Sequence, residues 1–342
     1  MSIFKKLSFA SAFCGCLGLC LMMSACKTKV PSKLSSSGGK TCEILVVCDK
    51  PVFNSAPGDS LRAFFAQKQV GLNQMEPLFS LANISAESFS DTKMFQRLRN
   101  IIIIEIDPQA SEKFEAKQNV WAAPQIIFKF VVPTKTRFCE LFAQKRELML
   151  KGFYDREYLR IQKTFKSSEV TSISDRIKNV FGFYFVFPDG FQIVNINKHF
   201  AWIKKESKEF GQGMLIHTFP YTKVEDLQLN SIIKKRNEIT SLVPGPLDGS
   251  YMTTETQFTE VYPQAKEIRF ADKYAIETRG LWKLKKDYMG GPFVNYVFVD
   301  EKNKQLVMID TYLYSPRKPK RDLLLQMEAI ARGIVFDTLP SK

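Results

Sequence analysis

The run Asn100-Ile-Ile-Ile-Ile-Glu105-Ile106-Asp107 constrains the fold more than any other stretch of the chain. It is short, continuously apolar and rich in β-branched residues, and Asp107-Pro108 stops it. A strand with no polar face belongs in the middle of a sheet covered on both sides. Ile44-Leu-Val-Val47 and Gln125-Ile-Ile-Phe-Lys-Phe-Val-Val-Pro133 read as companion strands. Asn54-Ser-Ala-Pro-Gly-Asp59 is turn material, and Asp59 or Ser60 is expected to cap a helix carrying Leu61, Phe64 and Phe65. A second short helix is expected over 89–98. Strand, helix, helix, strand, strand predicts a mixed sheet with helices on it in the N-terminal half.

A long helix is expected over 134–166, with Thr134 as its cap. Phe138, Leu141, Phe142, Leu148, Phe153, Leu159 and Phe165 recur at roughly helical spacing. Lys145, Arg146, Lys151, Arg156, Arg160 and Lys163 face elsewhere, as a solvated face or as a basic surface for a partner. After a helix over 170–180 the texture changes. Phe183-Tyr-Phe-Val-Phe and Phe191-Gln-Ile-Val read as two strands around the turn Pro188-Asp189-Gly190. Further strands are expected around 199–204, 213–219, 274–282, 293–299 and 305–314, with helices over 227–239 and 320–334. The predicted fold class is α+β, with an antiparallel sheet backed by helices in the C-terminal half. The expected parts are residues 42–170, an α/β domain ending in the long basic helix, and residues 171–342, an antiparallel α+β domain.

The first twenty-six residues address location. Lys5 and Lys6 precede an apolar run over 7–23, and Ser24-Ala25-Cys26 follows. A basic start, an apolar middle and small residues before a cut form a secretory signal. A signal-anchor helix is the competing reading, but the run is near the minimum length for a span and contains Ser and Gly. Ser24-Ala25-Cys26 resembles the lipobox of bacterial lipoproteins, with Met23 where Leu is commoner. That resemblance implies cleavage of a signal peptide, residues 1–25, and a diacylglyceryl group on Cys26. Residues 26–41 are then expected to be a lipidated flexible tether, rich in Ser, Gly and Lys. The fifteen residues after Cys26 would reach about 20 Å on average. They contain no acidic residue. Acidic residues at that place resemble a surface-export signal, so their absence favours the periplasmic side of the outer membrane.

The 342 residues carry a formal charge of +14. Losing residues 1–25 removes Lys5 and Lys6 and no acid, which leaves +12. A basic protein outside the cytoplasm meets anionic lipid and acidic polysaccharide, while nucleic acid is not an expected partner. The expected partners are the membrane, through the lipid anchor, and envelope proteins or glycans. Of seven cysteines, Cys42, Cys48 and Cys139 follow Cys26. Cys42 and Cys48 on one extended strand would stand roughly 20 Å apart, too far for a disulfide. At most one of them can pair with Cys139. Without a Cys-x-x-Cys or a Cys/His cluster, no metal and no cofactor is expected.

The candidate sites are few. Gly58-Asp59-Ser60-Leu61 spells the signature of an esterase family, but no Asp-x-x-His block accompanies it, and a helix start explains Ser60. His199 and His217 fall on separate strands and make a poor metal pair. Glu105 and Asp107 share one face at a strand end, where α/β proteins place chemistry, and are candidate acids. The loop over 244–255 and the stretch from Arg279 to Phe293 are the richest in residues able to hold a ligand. Arg279 is a candidate grip for an anionic group, Trp282 and Tyr288 are candidate stacking platforms for a flat or sugar-like ligand, and Gly290 and Gly291 give the join its backbone freedom. A tightly packed turn between strands accounts for the same residues.

Several words follow one another along the chain: Asp49-Lys-Pro-Val-Phe-Asn, Gly58-Asp-Ser-Leu-Arg, Val70-Gly-Leu-Asn-Gln-Met-Glu-Pro-Leu-Phe, Val120-Trp-Ala-Ala-Pro-Gln, Pro244-Gly-Pro, Glu277-Thr-Arg-Gly-Leu-Trp and Met289-Gly-Gly-Pro-Phe. With the lipobox they resemble domain-of-unknown-function family 4837, a set of bacterial envelope lipoproteins, over nearly the whole chain after Cys26. The resemblance implies lipoprotein character and no catalytic residues. The expectation is therefore a lipid-anchored envelope protein that binds a ligand or partner without catalysis. The alternative is a hydrolase acting on envelope glycan, lipid or peptide.

Overall fold

A computed structural model describes residues 34–337. The expected signal peptide, Cys26 and the first residues of the expected tether lie outside the described residues. No helix among the described residues is long and apolar enough to cross a membrane.

The N-terminal half comprises β1 (Glu43–Val47), α1 (Lys50–Phe53), α2 (Ala56–Phe65), β2 (Ser80–Ile84), α3 (Ala86–Asp91), α4 (Lys93–Gln96), β3 (Asn100–Ile106), β4 (Lys113–Gln118), β5 (Ile126–Val132) and α5 (Lys135–Lys166). The sheet order is β2-β1-β3-β5-β4, and only the β4–β5 pair is antiparallel. The isoleucine run is β3, at the centre, with Ile101 and Ile102 fully buried. Helix α5 covers one face. Its Phe138 packs edge-on against Phe130 and its Phe153 against Phe128, with ring centroids 4.9 and 5.1 Å apart. The helix lies close to the sheet because position 152 is glycine, where a Cβ would meet Ile126 Cδ1 and Phe128 Cζ at 2.9 Å. Thr134 caps α5, its hydroxyl accepting from the Arg137 amide at 3.2 Å.

The C-terminal half comprises α6 (Thr171–Phe181), β6 (Phe183–Tyr184), β7 (Gln192–Ile196), β8 (Phe200–Glu206), β9 (Gly211–Pro220), α7 (Leu229–Thr240), β10 (Tyr251–Thr254), β11 (Gln264–Phe270), β12 (Lys273–Lys285), β13 (Gly290–Asp300), β14 (Gln305–Tyr314), α8 (Arg321–Arg332) and β15 (Val335–Phe336). The large sheet is antiparallel, ordered β10-β12-β13-β14-β9-β8-β7, and β11 also pairs with β12. The molecule is α+β, with helices on a mixed sheet in the first half and an antiparallel sheet in the second. Helices α6 and α8 cover one face of the large sheet and α7 the other. Helix α8 serves two cores. Leu324, Met327 and Ile330 enter the core of the large sheet, while Leu325 and Ala329 enter the core beneath α5.

Four expectations change. The tether expected to reach residue 41 is laid onto the fold earlier: the Ser37 and Gly38 amides bond to the Ala123 and Arg97 carbonyls, at 3.3 and 2.9 Å. Helix α2 starts four residues before Ser60 and is preceded by Ser55, because Pro57 suits a first helical turn. Ser60 stands inside the helix, its hydroxyl 3.5 Å from Cys139 Sγ. The strands around Pro188-Asp189-Gly190 do not form a hairpin, since β6 pairs with β15 and β7 with β8. Strands β2, β4, β10 and β11 carry mixed polar sequence and were not expected.

Candidate functional site

A groove of about 850 Å³ opens at one end of the large sheet. Its walls are the turn between β8 and β9, the loop leaving β14 and the loop following α7. Strand alternation brings side chains two apart onto one face. It thus places Trp282 and Leu284 of β12, and Tyr312 and Tyr314 of β14, along the groove with Trp202 of β8 and Met252 of β10.

The floor is locked by its own hydrogen bonds. Trp202 Nε1 donates to the Tyr312 hydroxyl at 2.9 Å, and Trp282 Nε1 donates to the Leu313 carbonyl at 3.1 Å. Burial pushes the Tyr312 phenol well above its ordinary pKa, so it stays neutral. Gly213 is registered directly opposite Tyr312. A Cβ there would lie 2.1 Å from Tyr312 Cζ, so the missing side chain makes room for the phenol ring. Trp282 stands 6.1 Å from the Tyr312 ring and 6.3 Å from that of Tyr314.

The rim is charged. Lys204 pairs with Glu206 at 3.0 Å and covers the Trp202 ring at 5.4 Å. Lys318 pairs with Glu209 across the two loops. Lys208 and Arg317 line the same end and have no carboxylate partner among the described residues.

The expected site residues divide. Trp282 is in the groove, buried. Tyr288 is fully exposed at the β12–β13 turn and does not stack with Trp282. Gly290 and Gly291 allow close strand approach: a Cβ would lie 2.7 Å from the Trp282 carbonyl oxygen at the first and 2.0 Å from that of Leu313 at the second. Arg279 is engaged inside the fold. It bonds Glu277 at 2.8 Å and both carboxylate oxygens of Glu328 at 2.9 and 2.6 Å. The expected anion grip is an internal ion pair, because two acids already fill the guanidinium fork.

The candidate acids also fail to meet in a cleft. Glu105 is exposed and pairs with Lys129 at 2.7 Å. Asp107 is exposed and accepts from the Gln109 amide at 2.9 Å, as a turn residue does. His199 Nδ1 lies 3.1 Å from Thr218 Oγ1, while His217 stacks on Phe219. Among the described residues the three thiols Cys42, Cys48 and Cys139 form no disulfide. Sequence reasoning missed Trp202, Tyr312, Tyr314, Lys208 and Arg317. The available signal was Tyr312-Leu-Tyr314, an aromatic pair two apart at the end of a strand.

Comparison with known proteins divides the chain at the same place as its two sheets. Residues 37–166 match the family model "Domain of unknown function (DUF8532)", and residues 170–333 match "Domain of unknown function (DUF4837)". No curated protein matches the chain. Among solved structures, it is similar to the Ran-binding protein Mog1p of Saccharomyces cerevisiae at 9% identity, over 46% of this chain and 90% of that one, with a TM-score of 0.30. A mutant of protein Mog1 gives 11% identity, 46% and 92% coverage and the same TM-score of 0.30. Similarity at that level carries no statement about function. The resemblance read along the whole chain thus narrows: the words from Asp49 to Gln125 fall under the first family model and only the later ones under the second. Residues 170–333, which hold Pro244-Gly-Pro, Glu277-Thr-Arg-Gly-Leu-Trp and Met289-Gly-Gly-Pro-Phe, are the part of the chain that matches the DUF4837 family.

Proposed function

We propose that this chain is a lipid-anchored envelope protein that binds a ligand or partner without transforming it, and that the groove bounded by β8–β9 and the β14 exit is its binding site. Ser24-Ala25-Cys26 and the basic residues after it support the anchor, and the missing acids after Cys26 support anchoring on the periplasmic side of the outer membrane. The observation that carries the binding reading is the floor locked by the Trp202–Tyr312 hydrogen bond beneath two rim cations that have no carboxylate partner among the described residues. Such a site is preorganised. Its aromatic side chains lose little freedom when a ligand arrives, which is the condition for affinity. In the hydrolase alternative Glu105 and Asp107 are the named acids, and they stand exposed and separately bonded, without the pairing of an acid and a base.

The test is capture in place. Full-length protein carrying a photoreactive benzoylphenylalanine at Tyr314 is irradiated in native envelopes, with the same residue at exposed Leu148 of α5 as the control. A discrete adduct specific to position 314 is expected. No adduct, or the same adducts from both positions, would refute the groove as the binding site.

A further inference from the structure

We propose that the groove takes an amphiphilic anion: an alkyl or acyl chain ending in a phosphate or carboxylate. The proposal rests on the binding reading of this groove and adds the chemistry of its ligand.

The sheet order separates two kinds of lining. Val243, Met252, Leu284 and Met289 lie at the β10–β12 side, together with the prolines of Pro244-Gly-Pro. Lys208 and Arg317 lie at the other side, on the loops that leave β8 and β14. Those loops are held together. Gly211 and Tyr314 are registered opposite each other, and the Lys318–Glu209 pair clasps the loops beyond them. The groove therefore runs from an apolar wall to a cationic end.

The floor decides between an alkyl chain and a sugar. A sugar needs donors and acceptors for each hydroxyl group, and a buried polar group left without a partner is costly. Three of the groove's side-chain N–H groups are already engaged. Trp202 Nε1 is given to Tyr312, and Trp282 Nε1 to the Leu313 carbonyl. The buried Gln212 amide donates to the Leu323 carbonyl at 2.9 Å and to Gln326 Oε1 at 3.3 Å. Beside the Tyr314 hydroxyl, what remains between the two loops and β10 is mainly ring face, thioether and aliphatic surface, which suits a chain without hydroxyl groups. At the cationic end Lys204 and Lys318 are neutralised by Glu206 and Glu209. Arg317 offers its planar fork and Lys208 a second positive charge, the donor set that holds phosphate or carboxylate oxygens.

The test uses dodecyl phosphate bearing a photoreactive diazirine in its chain, added to envelopes containing the full-length protein. The same chain on a maltoside is the neutral control. The phosphate probe is expected to label the peptides holding Met252, Leu284 and Met289. Lys208→Ala with Arg317→Ala, both exposed positions, should cut its labelling at least about tenfold, since both cationic partners of the anion are lost, and leave the maltoside unchanged. Equal labelling by both probes, or labelling outside the groove only, would overturn the proposal. So would complete competition by inorganic phosphate, which would make the ligand a free anion. If Tyr314 captures a protein or glycan while dodecyl phosphate labels nothing, the groove stands as a binding site and the amphiphile falls. If neither experiment labels the groove, both readings fall.

Discussion

Arg279 of β12 and Glu328 of α8 meet fork to fork, with Nη1 and Nη2 donating to the two carboxylate oxygens at 2.9 and 2.6 Å. Glu328 also accepts from the Tyr158 hydroxyl of α5 at 2.9 Å. One buried carboxylate thus ties the large sheet, its helix and the long helix of the other half. Arg332 of α8 extends the knot, donating to Glu277 at 2.7 Å. The residue that looked most like an anion grip is a join between the two halves.

Arg279→Ala is therefore expected to act on stability. It leaves Glu277 and Glu328 buried with reduced compensation, a change that costs about 3–5 kcal/mol. The urea midpoint should fall accordingly, while dodecyl phosphate labelling of the folded protein stays as in the parent. A ligand-gripping arginine would show the reverse, with normal stability and lost labelling.

The same knot sets a pH dependence. Burial alone would raise the Glu277 carboxyl, but Arg279, Lys266 and Arg332 outweigh it and hold it well below the ordinary carboxylate range. A depressed folded-state value gives stability that is present above the unfolded value, near 4.3, and lost as pH falls towards the folded one. Glu157 runs the other way. Burial raises its carboxyl despite Arg99 and Asn100, so its contribution is present at low pH and fades as pH rises through the folded value. Glu277→Gln should flatten the loss of stability below about pH 4, measured by urea unfolding at stepped pH. An unchanged acid limb would place the acid sensitivity elsewhere.

Much of the fold was legible because the strongest elements have one pattern each. The isoleucine run could only be a covered strand, and it is the central one. The long helix starts at its threonine cap and spans the predicted residues. What escaped were strands with mixed polar sequence, such as Lys113–Gln118 and Gln264–Phe270, whose pairing comes from a neighbouring strand and not from their own alternation. The site was less legible for a physical reason. Arg279 and Arg317 look alike in a sequence, and only long-range packing brings Glu328 to the first, while the second has no carboxylate partner among the described residues. The groove floor is likewise assembled from β8, β12 and β14, whose members are far apart in the chain.

Cys26→Ser tests the anchor independently of the groove. Without the thiol no diacylglyceryl group can be attached, and a single further chain would hold only marginally. The variant should leave the membrane fraction or accumulate as the uncut precursor, read by fractionation and intact mass. A processed and membrane-bound variant would remove the lipobox reading and leave the groove untouched.

Gly213→Ala tests whether the floor is as preorganised as its contacts indicate. The added methyl would lie 2.1 Å from Tyr312 Cζ and 2.3 Å from its hydroxyl oxygen. The ring cannot stay, and moving it breaks the hydrogen bond from Trp202 Nε1. Overpacking of this kind costs about 1–3 kcal/mol, so the protein should still fold. Two readouts follow. Tryptophan fluorescence should shift as Trp202 loses its partner, and groove labelling by dodecyl phosphate should drop with the cationic rim intact. If labelling and fluorescence both match the parent, Tyr312 is not a fixed part of the floor, and affinity in this groove must come from its rim.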